Sequence, residues 1–220
     1  LKQYFMTPKS KSKWLFMPFI ILFISLNSYS QTIILNEDFS TGSGKTPPSG
    51  WNNVLNSGTA GQIWNFTDTT PAITDGDFNG NYAILDSDGY GNASSQNATL
   101  TSPTFDTSTF TSLELSFSNQ FRFYATGESA RIEVFNGSNW TTIDTYTTNT
   151  DYPTSAVRTY NILAATNGAT NARVRFTYIG AWGYWWAIDN VKVEGTSSVA
   201  PTRIPITITA DAKSKEFGDA

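Results

Sequence analysis

The stretch Trp185-Trp186-Ala187-Ile188-Asp189-Asn190-Val191-Lys192-Val193 sets one acidic residue inside an otherwise apolar, β-favouring run. An ionised carboxylate buried alone is strongly unfavourable, so Asp189 is expected either at a strand end in water or beside a partner such as a bound cation. Near the other end, Ile33-Ile34-Leu35-Asn36-Glu37-Asp38-Phe39 is again a short apolar strand running into carboxylates. In a sandwich closed by its own termini the two strands lie side by side, which would pool Glu37, Asp38 and Asp189. A further acidic stretch, Asp75-Gly76-Asp77-Phe78-Asn79-Gly80, reproduces the first half of a calcium loop: acids or an amide at alternate positions, Gly at the sharp turn, and Asp86 where the closing acid falls. Its flanks read as strands, so no EF-hand is implied, and the competing reading of Asp75, Asp77 and Asn79 is a solvated turn.

Aromatic chemistry concentrates around Gly180 to Gly183, where Tyr178, Trp182, Tyr184, Trp185 and Trp186 fall close together. Flat rings of this kind serve sugar-binding modules as platforms, and Trp182, Tyr184 and Trp185 are the candidates for ligand binding. The alternative is core filling, and alternation assigns one of Trp185 and Trp186 to the core. Carboxylate pairs could in principle hydrolyse glycosides, with Glu114, Glu128 and Glu133 as candidates. Glu114 and Glu133 fall on the outward face of alternating strands and nothing marks a cleft, so the chain is expected not to be an enzyme.

The 220 residues contain no Cys and no His. That removes Cys/His zinc sites, thiol nucleophiles, Ser-His-Asp triads and the usual haem and iron–sulfur ligation. The first 30 residues read as a secretory leader: Lys2, Lys9, Lys11 and Lys13, then the apolar Trp14 to Leu26, then small residues at Ser28-Tyr29-Ser30. The apolar run is too short to span a bilayer, so no transmembrane segment is expected in the mature chain. Removing four Lys and no acid leaves 10 basic against 18 acidic residues, a net charge of −8. Such a surface repels nucleic acid and attracts cations. A Cys-free exported chain has no disulfides to stabilise it and depends on its core or on metal ions.

Period-two alternation recurs from Leu35 to Val193, and few segments carry helical periodicity. Leu113-Glu114-Leu115-Ser116-Phe117-Ser118, Arg131 to Phe135 and Arg173 to Tyr178 alternate most clearly, and Asn136-Gly137-Ser138-Asn139 reads as a hairpin turn. The expected fold is an all-β, antiparallel jelly-roll sandwich over residues 31–195. A polar linker follows at 196–205, and a new alternating strand begins at Ile206, so the sequence is expected to be a fragment of a multidomain chain.

Six pieces fall in an order that resembles the jelly-roll domains of the choice-of-anchor J, cleaved-adhesin and MAM-like group. They are Glu37-Asp38-Phe39, Pro48-Ser49-Gly50-Trp51, Asp86-Ser87-Asp88-Gly89-Tyr90-Gly91, Leu100 to Asp106, Leu113 to Phe117, and Trp186-Ala187-Ile188-Asp189-Asn190-Val191. The match runs from about Thr32 to Glu194. The resemblance implies a module of an exported Bacteroidetes protein, an adhesin or an accessory domain of a secreted enzyme, with structural calcium. It adds Asp86 and Asp88 to Glu37, Asp38 and Asp189 as the expected metal ligands. Residues 206–220 are similar to the opening of an MBG-type repeat, which implies further repeats and a type IX secretion signal beyond Ala220. The expected function is a secreted or cell-surface, non-catalytic adhesion or carbohydrate-binding module, monomeric within its chain, whose partner is an extracellular glycan or protein. The alternative is an accessory domain of an exported glycosidase or peptidase.

Overall fold

A computed structural model describes residues 31–67, 73, 78 and 80–197. Residues 1–30, where the leader is expected, the loop residues Asp75, Asp77 and Asn79, and everything after Ser197 lie outside the described residues. The strands are β1 (Gln31–Glu37), β2 (Asn52–Gly58), β3 (Ala83–Asp86), β4 (Gln96–Thr101), β5 (Phe110–Arg122), β6 (Ser129–Phe135), β7 (Trp140–Tyr146), β8 (Ala156–Asn161), β9 (Arg173–Gly180) and β10 (Trp185–Ser197), with one helical turn, α1 (Leu163–Thr166), before β9. Strand β10 therefore runs two residues past Gly195, into the stretch expected as linker. Among the described residues no helix is long and apolar enough to cross a membrane.

Two antiparallel sheets face each other as a jelly-roll sandwich, as the alternation predicts. One has the order β1-β10-β5-β8 with β3 also paired to β10, and the other has the order β2-β4-β9-β6-β7. Strands β1 and β10 pair with Gln31 opposite Thr196 and Glu37 opposite Val191, so the first and last strands do close the sandwich side by side. Inward residues follow the period of two: Leu113, Leu115 and Phe117 from β5, Ile132 and Val134 from β6, and Val174, Phe176 and Tyr178 from β9 are all buried in one core. The β6–β7 hairpin turns where Asn136-Gly137 stands. The Asn136 side-chain oxygen accepts the N–H groups of Ser138 and Asn139, and Gly137 takes φ 87°.

Strand β10 begins with a continuous apolar run because its first half is covered on both faces. Trp186 and Ile188 enter the main core, while Trp185 and Ala187 pack outward against Ile73, Phe78, Tyr82 and Ile84 in a second, smaller cluster. This second cluster places the aromatic end of β10 under cover rather than at the surface.

The outer face of the second sheet is polar and tightly cross-linked. Glu133 lies on that face, as alternation predicts, yet it is buried: Arg175 donates to both its oxygens (2.8 and 2.9 Å) and Arg131 pairs with it at 3.3 Å. Burial alone would raise its pKa, but these hydrogen bonds and charges hold the carboxyl below its usual range. The Trp140 ring on the same face is covered by the Arg175 guanidinium, 4.0 Å from its centroid.

Candidate ligand-binding site

Strand register brings three loops to one end of the sandwich. Trp185 at the start of β10 is opposite Asp86, the last residue of β3, and opposite Arg122, the last residue of β5. In the other sheet, Gly180 at the end of β9 is opposite Gln96 at the start of β4, and Ile179 is opposite Ser129 at the start of β6. The connections after β3, β5 and β9 therefore leave from the same level.

Those loops carry the exposed aromatic surface. Tyr124 is 49% and Trp182 47% exposed, and their ring centroids are 5.8 Å apart at 56°. Tyr184 meets Tyr124 edge-on at 5.2 Å. Behind them Arg122 is stacked on aromatic faces, 3.5 Å from the centroid of Tyr184, 4.8 Å from Trp185 and 4.9 Å from Tyr152, so one cation binds the rings of two loops to the sheet. Trp182 is held at φ 50°, a left-handed conformation that a bulky side chain seldom adopts, and the turn presents its ring outward. Asp88, Tyr124, Trp182, Gly183 and Tyr184 together line a cavity of about 190 Å³.

Buried polar groups hold this loop from below. Glu128 is 4% exposed; one oxygen accepts the Tyr124 N–H and the other accepts the Tyr178 hydroxyl, both at 2.7 Å. Burial first, then the charge of Glu128, pushes the Tyr178 phenol far above its usual range, so it remains a donor. The Gly183 N–H donates to Ser87 Oγ, which itself donates to Gln96, and Gln96 donates on to Gln62 and Ser94. The N–H groups of Ser87 and Asp88 donate to the Tyr184 carbonyl. Gly183 is required here: a β-carbon would stand 2.3 Å from a Glu128 oxygen and 2.5 Å from the Tyr178 hydroxyl. Gly183→Ala is expected to cost about 1–3 kcal/mol of stability through overpacking. Urea unfolding checks this, and an unchanged midpoint would show that the loop is not packed as described.

The sequence-predicted residues are divided by this geometry. Trp182 and Tyr184 belong to the exposed surface. Trp185 does not: it is buried in the second cluster, its indole N–H donates to Gln120, and Arg122, Tyr152 and Tyr184 take its ring, so it supports the platform rather than forming it.

The five expected metal ligands do not converge, and among the described residues no three acidic side chains gather. Glu37 and Asp38 end β1. Burial raises the Glu37 carboxyl, against the Phe39 N–H and the Trp51 indole that donate to it, while the Ser40 hydroxyl and N–H hold exposed Asp38 below its usual range. Asp189, 1% exposed, lies on the neighbouring strand at the bulge where Asn190 takes φ 51°. Asp86 is opposite Trp185, four residues along β10 from Asp189. At about 3.3 Å per residue that is roughly 13 Å away. Asp86 accepts the Gly89 N–H, and Asp88 opens into the aromatic cavity instead.

Tyr124, Arg122 and the supporting role of Glu128 are not evident in the sequence reading. Their only signal is the loss of alternation after Phe121, where β5 gives way to Phe123-Tyr124 and the glycine-containing turn to Glu128.

No family model and no curated protein matches this chain. Solved structures do resemble it. The K1 cleaved adhesin domain of Lys-gingipain from Porphyromonas gingivalis W83 is 18% identical with a TM-score of 0.56, covering 76% of this chain and 98% of that one. The K3 domain of the same protein is 17% identical with a TM-score of 0.54, covering 75% and 99%. The likeness is one of fold.

Proposed function

We propose that this domain is a non-catalytic, extracellular adhesion module that binds glycans through Tyr124, Trp182 and Tyr184. The observation that carries the reading is the half-exposed pair of Tyr124 and Trp182, braced by Arg122 and Glu128 at one end of a rigid sandwich. Sugar rings present apolar C–H faces that settle on such platforms, and a preorganised platform loses little side-chain entropy on binding. The alternative of a glycosidase centre is disfavoured because both oxygens of Glu128, the buried carboxylate beside the site, are committed to holding Tyr124 and Tyr178. An adhesive role accords with the fold shared with the cleaved adhesin domains. Export by the leader, release after Ser30 and a place in a longer surface chain belong to the same reading. The chain from Gln31 to Ala220 is expected to be retarded in gels containing a recognised polysaccharide; free migration through a broad panel of polysaccharides would overturn the reading.

Calcium enters the proposal as a structural ion at the β1–β10 end. A cage made of carboxylates alone does not fit the described residues, so Glu37, Asp38 and Asp189 would share it with backbone carbonyl oxygens. Asp86 and Asp88 lie outside it. Calcium at about a hundred times Kd stabilises a native state by roughly 2.7 kcal/mol, a rise of several degrees in Tm. A midpoint indifferent to chelator, or an Asp189→Ala variant that responds to calcium as the unaltered chain does, would remove calcium from these residues.

A further inference from the structure

We infer that the aromatic site selects neutral sugars over acidic ones, and that Asp88 sets this preference by accepting hydrogen bonds from ring hydroxyls. The inference rests on the glycan-binding reading above. Asp88 sits in the turn after β3, fixed against the start of β10 by its own N–H on the Tyr184 carbonyl (3.2 Å). Its exposed side chain lines the same cavity of about 190 Å³ as Tyr124, Trp182, Gly183 and Tyr184, a volume close to that of one hexose unit.

What distinguishes Asp88 is that it is uncommitted. Glu128 spends both oxygens on Tyr124 and Tyr178, and Asp86 holds the Gly89 N–H. Among the described residues neither a hydrogen-bond donor nor a cation is paired with the Asp88 carboxylate. An ionised carboxylate offers acceptor sites on two oxygens and suits two hydroxyls on adjacent ring carbons, while the neighbouring aromatic rings take the apolar face of the same sugar.

The charge around Asp88 favours the same ligand class. No cation lines the cavity: Arg122 lies behind it against the rings of Tyr184, Trp185 and Tyr152, and Lys45 donates to the Gly61 carbonyl and lies over Tyr90. A uronate or sulfated sugar placed on the rings would bring its anion beside Asp88 with no guanidinium or ammonium in the cavity lining to meet it, and like-charge juxtaposition is strongly disfavoured. The net charge of −8 for the chain after Ser30 adds to this repulsion.

The test is titration calorimetry of the chain from Gln31 to Ala220 with gluco-, galacto- and manno-oligosaccharides and with their C6-oxidised uronate counterparts, which keep the ring and change the charge. The neutral sugar that binds is expected to bind at least about tenfold more tightly than its uronate. Asp88→Ala is expected to weaken the neutral sugar about tenfold, and Asp88→Asn to narrow the gap between neutral and uronate forms. Uronates bound as tightly as neutral sugars, or Asp88 variants with unchanged affinity and preference, would overturn the inference. If Trp182→Ala abolishes binding while the Asp88 variants do not alter it, the platform stands and the role of Asp88 falls. If the unaltered chain binds neither class, both fall. Asp88 is exposed, so its variants are expected to keep the melting midpoint of the parent chain.

Discussion

Replacing Trp186 by alanine is expected to lower the unfolding free energy by about 3–5 kcal/mol. The ring is fully buried and stands at the junction of the two sheets, with centroid distances of 5.3 Å to Trp64, 5.8 Å to Phe176, 6.3 Å to Tyr146 and 6.5 Å to Phe121. Its indole N–H donates to Asn119 Oδ1 at 2.8 Å, deep in the sandwich. Alanine leaves a cavity and also withdraws the donor from a buried amide oxygen, and the two costs reinforce each other. Trp186→Phe restores much of the volume but not the donor, so an intermediate loss is expected. Urea unfolding of the chain from Gln31 to Ala220 checks both, and a loss below about 1 kcal/mol for Trp186→Ala would mean that the core is not organised around this ring.

Trp182→Ala is expected to do the opposite. Stability should change by no more than about 0.5 kcal/mol, because the ring is half-exposed and no buried polar group depends on it. Affinity for the bound glycan should fall about thirtyfold or more, the range of a central aromatic anchor. The contrast between two tryptophans four residues apart separates packing from binding. A Trp182→Ala variant that unfolds easily and still binds would reverse the roles assigned to them.

Much of the sandwich is legible in the sequence because one-sided burial writes itself as alternation. Leu113, Leu115 and Phe117 show it, and so does the pairing of the end strands, with Glu37 opposite Val191. Trp185 is misplaced by the same logic. Alternation puts it on the outer face, which reads as solvent, but Ile73, Phe78, Tyr82 and Ile84 cover that face through contacts distant in sequence. Glu133 is correctly placed on an outer face and is nevertheless buried, because Arg131 and Arg175 close over it. The five carboxylates fail to pool for a geometric reason: Asp86 pairs with the first residue of β10, whereas Asp189 lies one residue beyond the other end of that pairing, and a sequence does not state which end of a strand faces which loop. The binding surface is half legible. Trp182 and Tyr184 stand out by composition, whereas Tyr124 joins them only because β5 ends at the level where β10 begins.

The most direct measurement is a nuclear magnetic resonance titration that follows the indole N–H signals while a recognised neutral oligosaccharide is added. The chain from Gln31 onward has six tryptophans: Trp51, Trp64, Trp140, Trp182, Trp185 and Trp186. Binding at the loop platform predicts a large, saturable shift at Trp182, a small one at Trp185 beneath it, and none at Trp140, which lies under Arg175 on the outer face of the other sheet. A shift confined to Trp140, with Trp182 unmoved at saturation, would contradict a platform built on Tyr124, Trp182 and Tyr184.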